Sequence, residues 1–259
     1  MRTPTFAEIR RRTRWMKEVL IIAAFYAVYT VVRDTQGSAS VSAAHALGNA
    51  TRVIGLEKML NIFHEQAVQQ AVIGWHGLIR LFDDFYGSAH FVITIAVLAW
   101  LYFGHHHRYR LWRNTLAITT GLALIGFAVF PVMPPRLLPP SYGFVDTLRT
   151  IGGLWNFNSG AVASVSNQYA AMPSLHFAWS SWCALAARPL FRRRFARAAV
   201  FIYPALTGVA IIVTANHFFL DAFFGALTVA LAYMASRVFE RPPTPSPNQE
   251  HLDTVAAPG

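Results

Sequence analysis

The feature that most constrains this chain is a series of apolar stretches, each close to the length needed to cross a lipid bilayer. About 20 mostly apolar residues span the ~30 Å hydrocarbon core, and five or six stretches of the sequence qualify. They run near Trp15–Val32, Ser88–Gly104, Thr115–Val132, Ser174–Ala187, Ala196–Val213 and His217–Phe239. The chain is therefore predicted to be an all-α integral membrane protein, with six transmembrane helices in a bundle.

Composition supports this prediction and excludes several other classes of protein. Only 13% of the 259 residues are charged and 54% are hydrophobic, whereas an average soluble domain carries about 25% charge. A disordered protein, a coiled coil and an ordinary soluble enzyme are excluded. The first apolar stretch is longer than the core of a signal peptide and lacks a clear small-residue cleavage site, so we expect it to be retained.

The net charge of +10 invites a nucleic-acid interpretation until the positions of the cations are considered. Most Lys and Arg residues fall in the segments 2–17, 108–113, 188–197 and 237–241, which lie on one side of a six-span topology. By the positive-inside rule that side is the cytoplasm. We therefore expect a multi-pass protein of the cell (plasma) membrane with both termini cytoplasmic, and no nucleic-acid partner.

The sequence reads as a single membrane domain, residues 15–240, between a basic cytoplasmic tail, 1–14, and a disordered Pro-rich cytoplasmic tail, 241–259. Between the first two spans, apolar residues at helical spacing predict an extra amphipathic segment at the outer face or against the bundle. Residues 67–82 are either re-entrant or interfacial, and Asp83 and Asp84 are expected to be solvated. The apolar residues of the segment are Ala46, Val53, Leu56, Leu60, Phe63 and Ala67.

Two polar motifs carry the candidate chemistry, the runs 172–176 (Met-Pro-Ser-Leu-His) and 214–221 (Thr-Ala-Asn-His-Phe-Phe-Leu-Asp). The topology places both at the outer mouths of their spans, where ionisable groups are expensive and often functional. His217 and Asp221 would share a helix face about 6 Å apart along the axis. Asp221 would then fix the imidazole tautomer and leave the other nitrogen as a nucleophile or base. His176 would be the second proton-transfer group.

Four further residues are candidates for binding a substrate phosphate. Ser174 starts span four among free N–H groups, which can hold an anion, and Thr214 is expected to be the N-cap of span six, with Asn216 beside it. Arg136 can grip phosphate oxygens in a bidentate manner. Such a site needs neither metal nor cofactor. Helix capping by Ser174 and a head-group contact of Arg136 stay open as alternatives, as does His90 as either a third site histidine or a buried hydrogen-bonding residue.

These residues carry a family resemblance over roughly 126–237. The run Pro-Ser-Leu-His (173–176), followed by His217-x-x-x-Asp221, resembles the type-2 phosphatidic acid phosphatase (lipid phosphate phosphatase) superfamily. With its flanking residues, the motif pair is similar to the branch that contains inositol phosphorylceramide synthase. The resemblance implies a six-helix bundle in which His217 attacks phosphorus and forms a phosphohistidine, supported by Asp221. His176 would protonate the leaving group, and water or an inositol-type alcohol would accept the phosphoryl group.

The chain departs from the phosphatase pattern in three places. Leu175 stands where the motif has Gly, Ala210 and Ile211 stand where it has a Ser-Arg pair, and Arg136 follows two prolines where a Lys-rich motif is usual. These differences favour the transferase-like branch, an inositolphosphotransferase, over a plain phosphatase.

The expected function is that of a lipid phosphatase or phosphotransferase at the extracytoplasmic face, with transfer of inositol phosphate to a lipid as one form of the reaction. Its partners would be membrane lipids, a lipid phosphate substrate and an inositol or other alcohol acceptor. The alternative is a transporter or flippase of an anionic lipid, which predicts polar groups near the middle of the membrane and broken helices in both halves.

Overall fold

A computed structural model describes residues 41–154 and 168–239, together with a few isolated positions between 16 and 31. The predictions for residues 1–14, for most of the first span and for 241–259 lie outside these described residues. Helices account for the described secondary structure, which contains no β-strand. They are α1 Ala43–Met59, α2 Glu65–Val72, α3 His76–Gly104, α4 His106–Val129, α5 Leu175–Ala187, α6 Arg194–Ala199, α7 Ile202–Val213 and α8 Phe219–Phe239, with one helical turn at Thr147–Thr150.

Within the described residues, three helical segments are long and apolar enough to cross a membrane. They are α3, the stretch Arg194–Val213 that joins α6 to α7, and α8, and they coincide with predicted spans two, five and six. Helix α4, with 24 residues, is about 36 Å long, but its first two turns contain the basic run 108–113. Helix α5, with 13 residues, reaches only about 20 Å. The part of the chain that the structure describes is thus all-helical and has the long apolar helices of a membrane protein, and the count of six spans stays a prediction.

The segment between the first two predicted spans forms α1, α2 and the start of α3. Helix α1 is capped at its N-terminus by Ser42, whose side chain accepts the N–H of His45 at 3.2 Å. Leu56 and Leu60 are 39% and 52% exposed, so these two leucines do not pack against the bundle. The reason is that α1 turns a partly polar face inward. The buried residues of α1 are Ala46, Asn49, Ala50, Val53, Ile54 and Glu57.

Residues 67–82, for which a re-entrant and an interfacial placement were both open, do not form one element, because the chain breaks within them. Helix α2 ends at Val72, its cap residue Ile73 donates to Gln69 O at 2.9 Å, and α3 begins at His76. The 29 residues of α3 then continue without interruption into the predicted second span. Residues 67–82 are therefore divided between a short helix and the first turns of a long one.

Helices α5 and α8 meet at one end of the bundle, and this contact places the two motifs side by side. Gly225 makes the contact possible, because a Cβ added there would lie 2.5 Å from the carbonyl oxygen of Ser174. Farther along α5, Trp182 is fully buried and its indole N–H donates to Trp112 O of α4 at 2.9 Å. This contact with α4 and the close backbone approach to α8 hold α5 against its neighbours.

Candidate active site

The two sequence motifs are hydrogen-bonded to each other through their backbones. Ser174 is the N-cap of α5, and its Oγ accepts the N–H of Phe177 at 3.4 Å. The N–H of Ser174 donates to the carbonyl oxygen of Asp221 at 2.9 Å. The first turn of α5 is thereby attached to the first turn of α8, which brings His176 and His217 to the same place. Ser174 performs the capping role that was the alternative to direct phosphate contact.

His217 lies in the connection just before α8 rather than in its first helical turn. Its Nδ1 is 2.9 Å from Ala171 O and 3.3 Å from Asp221 Oδ2. Both neighbours are acceptors, so Nδ1 carries the proton and donates to them. Its Nε2 is buried and has no hydrogen-bond partner among the described residues. The imidazole is thus held in the tautomer that leaves a lone pair on Nε2.

Asp221 is fully buried and is fixed by the start of the helix that contains it. Its Oδ2 accepts the N–H of Phe218 at 2.9 Å in addition to the bond from His217. Sequence spacing predicted that His217 and Asp221 would meet on one helix face. The structure shows a different arrangement, because His217 precedes the first residue of α8. The Asp221 side chain turns back past the N-terminus of α8 to reach it.

His176 completes the pair of histidines from the opposite helix. Its ring centroid is 5.8 Å from that of His217. The ring stacks on Tyr86 at 3.9 Å with an interplanar angle of 21°, and it lies 4.2 Å from the ring of His90. His90 Nδ1 in turn bonds to Tyr86 O at 3.0 Å, so His90 is both hydrogen-bonded and next to the site. Sequence reasoning missed Tyr86.

Arg136 is docked beside the turn that leads into His217. It is only 9% exposed, and its Nε donates to Asn216 Oδ1 at 3.0 Å while Nη1 lies 3.3 Å from Asp146 Oδ2. Its backbone N–H donates to Ala215 O at 2.8 Å. A guanidinium held by two acceptors in this way is oriented before any substrate arrives. Asp146, which the sequence did not single out, is part of this arrangement.

Thr214 is not the N-cap of the last helix, so that expectation was wrong. It is the C-cap of α7, and its Oγ1 donates to Ala210 O at 2.6 Å. The chain then turns at Ala215, which has a left-handed φ of 53°, and α8 starts only at Phe219. Thr214 Oγ1 accepts from Asn216 Nδ2 at 2.8 Å, so the hydroxyl holds the amide that contacts Arg136.

Asp83 is not solvated as the sequence led us to expect, whereas Asp84 stays partly exposed. Asp83 is 1% exposed and accepts from the hydroxyl of Thr147 at 3.0 Å. Asp84 Oδ1 accepts the N–H of Leu154 at 2.6 Å. The turn at Thr147–Thr150 covers this part of α3 and removes the water that the Asp83 carboxylate would otherwise contact. One signal in the sequence points to this face, since Asp83, Tyr86 and His90 recur at helical spacing.

Away from this end, the buried polar side chains of the described helices include hydroxyls that bond to their own backbone. Thr115 donates to Leu111 O at 2.8 Å, and Ser236 donates to Ala232 O at 2.8 Å, four residues back in each case. Such bonds satisfy a hydroxyl in an apolar bundle without a partner from another helix. The histidines, Asp221 and Arg136 are gathered instead where α5 and α8 begin.

The fold and the site together define a class: an all-helical membrane protein with a buried His–Asp pair, a second histidine and an oriented arginine at one end of its bundle. Residues 51–235 match the family model described as the PAP2 superfamily. Because the match covers most of the chain, the protein belongs to the PAP2 superfamily, whose members are phosphatases or phosphotransferases. No curated protein and no solved structure matches the chain.

Proposed function

We propose that this protein is a lipid phosphatase or phosphotransferase that acts on a lipid-linked phosphate ester through a phosphohistidine on His217. The observation that carries the proposal is the hydrogen bonding of the two ring nitrogens of His217. Nδ1 is held by Ala171 O and Asp221, while Nε2 is buried without a partner among the described residues. A nucleophile oriented by a neighbouring acceptor is the arrangement that covalent catalysis requires.

The chemistry proceeds in two displacements at phosphorus. In the first, the Nε2 lone pair attacks, the P–N bond forms, and the P–O bond to the leaving group breaks. The proton on Nδ1 stays between Ala171 O and Asp221, which stabilise the positive charge on the phosphoimidazole. His176 gives a proton to the leaving oxygen. In the second, the acceptor oxygen attacks phosphorus, His176 takes its proton, and the P–N bond breaks to restore His217.

Arg136 is the proposed phosphate-binding cation. In the superfamily pattern that the chain resembles, an arginine lies six residues before the last histidine, where this chain has Ile211. Arg136 comes from a different segment, yet it bonds to Asn216, next to His217. The guanidinium would neutralise charge on the transferring phosphoryl group. Asn216 orients Arg136, Thr214 orients Asn216, and Ser174 presents the first turn of α5 to the same group.

The location and the acceptor are also part of the proposal. The positive-inside distribution supports a plasma-membrane protein with cytoplasmic termini and an extracytoplasmic site. The substitutions at Leu175 and Ile211 favour transfer to an alcohol of the inositol type over hydrolysis. Membrane lipids and a lipid phosphate are then its partners, and the site uses no metal or cofactor.

The test uses the detergent-purified protein and a radiolabelled phospholipid donor, with and without inositol. Release of free phosphate alone identifies a phosphatase, and a labelled inositol phosphate, which forms when inositol attacks phosphorus in place of water, identifies a transferase. The His217→Ala variant is expected to lose turnover while eluting as the same monodisperse species as the wild type. A matched control is His45→Ala, because His45 is exposed on α1. Turnover by His217→Ala at the wild-type rate would refute the mechanism.

The transporter alternative calls for a different distribution of polar groups. It needs ionisable residues near the middle of the bundle, whereas the histidines and Asp221 lie where α5 and α8 start. The same preparation in lipid vesicles separates the two functions. Movement of labelled lipid between leaflets without chemical product would favour the transporter.

A further inference from the structure

The first turn of α8 is bonded to three carboxyl groups, and two of them come from distant helices. The N–H of Phe219 donates to Glu65 Oε1 at 2.9 Å, and the N–H of Leu220 donates to Glu57 Oε1 at 2.8 Å. The third bond runs from Phe218 N–H to Asp221 Oδ2. The first N–H groups of a helix lack internal partners and attract negative charge. Glutamates of α1 and α2 therefore cap the helix that contains Asp221.

Glu57 and Glu65 are both fully buried. Each uses one oxygen on α8, while Glu57 Oε2 and Glu65 Oε2 have no hydrogen-bond donor among the described residues. Two neighbouring carboxylates in an apolar site cannot both stay ionised at little cost, because burial and like charge both oppose it. A proton between the two free oxygens satisfies both groups at once.

The electrostatic surroundings of Glu57 favour this protonated state. Burial is the largest effect and a hydrogen bond with the Glu65 side chain is the next, and together they raise the pKa of Glu57 to about 9. The negative charges of Glu65 on α2 and Asp221 on α8 act in the same direction, whereas the bond from Leu220 N–H opposes them. On α1 itself, the neighbouring Lys58 is exposed and lies over the ring of Phe63.

We propose that Glu57 and Glu65 form a proton-sharing carboxyl pair that positions the start of α8, and through it Asp221 and His217. Neither glutamate is placed in contact with substrate, so both are positioning residues. The catalytic consequence rests on the proposed function, whereas the pair itself rests only on burial and hydrogen bonding. Loss of the shared proton would place a second negative charge in the pair, push α1 and α2 apart at this point, and add repulsion beside Asp221.

The first experiment measures kcat and KM against pH for the wild type, Glu57→Gln, Glu57→Ala and the control Lys58→Gln. A glutamine at 57 imitates the protonated carboxyl, because its oxygen can accept from Leu220 and its amide can donate to Glu65. We expect the kcat of the wild type to fall near pH 9, and we expect Glu57→Gln to keep kcat within about threefold at neutral pH and to lack that fall. Glu57→Ala should lower kcat at least tenfold with little change in KM, and Lys58→Gln should follow the wild type throughout.

The second experiment needs no turnover. Folded Glu57 keeps its proton up to about pH 9, while in the unfolded chain it loses the proton near 4.5. The folded state then binds more protons over that interval, so stability falls as pH rises from about 5 to about 9 and levels off above it. Between about pH 7 and pH 9, the thermal midpoint in detergent should fall for the wild type and Lys58→Gln but not for Glu57→Gln.

The two experiments separate failure of the pair from failure of the proposed function. Suppose the wild type catalyses turnover of a phosphate donor. The carboxyl pair is then refuted if Glu57→Gln keeps both the loss of kcat and the fall of the thermal midpoint at alkaline pH. It is also refuted if folded Glu57→Ala has the wild-type kcat. If no phosphate donor is turned over but the midpoints behave as expected, the pair stands and the proposed function fails.

Discussion

Replacing Gly225 by alanine tests whether the close approach of α5 and α8 is what assembles the site. The added Cβ would lie 2.5 Å from Ser174 O and 3.4 Å from Ala178 N. A carbon and a carbonyl oxygen normally approach to about 3.3 Å, so the helices must separate by about 0.8 Å. Both contacted atoms are backbone, and Ser174 is itself bonded to Asp221 O, so neither atom can rotate away.

The separation acts directly on the two histidines. His176 follows Ser174 by two residues in α5, and His217 is held by Asp221 in the first turn of α8. A misplacement of about 1 Å between reacting groups can lower the rate about a hundredfold. We therefore expect kcat/KM of Gly225→Ala to fall by about thirty- to a hundredfold, which corresponds to roughly 2–3 kcal/mol in the barrier.

The assay is turnover of a radiolabelled lipid phosphate by purified protein, with the thermal midpoint measured on the same samples. Gly121→Ala is the matched control, because an added Cβ at Gly121 of α4 meets nothing within 4 Å. That variant should keep full activity. If folded Gly225→Ala is within about threefold of the wild type, the helix contact does not set the geometry of the site.

Three further predictions concern the site itself. Asp221→Asn should lower kcat by about a hundredfold or more, because the amide no longer stabilises the charged imidazole; unchanged kcat would remove Asp221 from the mechanism. Arg136→Lys should raise KM about tenfold, since one ammonium cannot reproduce the fork held by Asn216 and Asp146, and a KM equal to that of the wild type would argue against phosphate binding by Arg136. Excess chelator should leave the rate unchanged, whereas strong inhibition would reveal a required metal.

The proximity of the two motifs could be predicted from sequence because it follows from topology. Once the cations fix the direction of each span, His176, His217 and Asp221 must fall at the same end of the bundle. The structure places the two histidine rings 5.8 Å apart. The start of the last helix could not be predicted in the same way. Thr214 has the side chain of an N-cap, but the left-handed turn at Ala215 delays the helix.

The burial of the acidic groups outside the two motifs could not be predicted from the sequence. An isolated glutamate or aspartate in a polar stretch is normally expected to face water. Glu57 and Glu65 are buried because they cap α8, whose N–H groups lie 163 and 154 residues away in the chain. Asp83 is buried because the turn at Thr147 covers it. Such hydrogen-bond partners are brought together only when the helices pack, and no local sequence pattern predicts them.

The central claim is that phosphorus is transferred to Nε2 of His217, and chemical trapping tests it most directly. The wild-type protein would be mixed with a donor labelled in the transferred phosphate, quenched within one turnover, and digested for mass spectrometry. We predict an acid-labile, base-stable phosphate on the peptide that contains His217, and no label on the folded His217→Ala variant. Label on a different residue, or turnover by His217→Ala with no change in rate, would contradict the account.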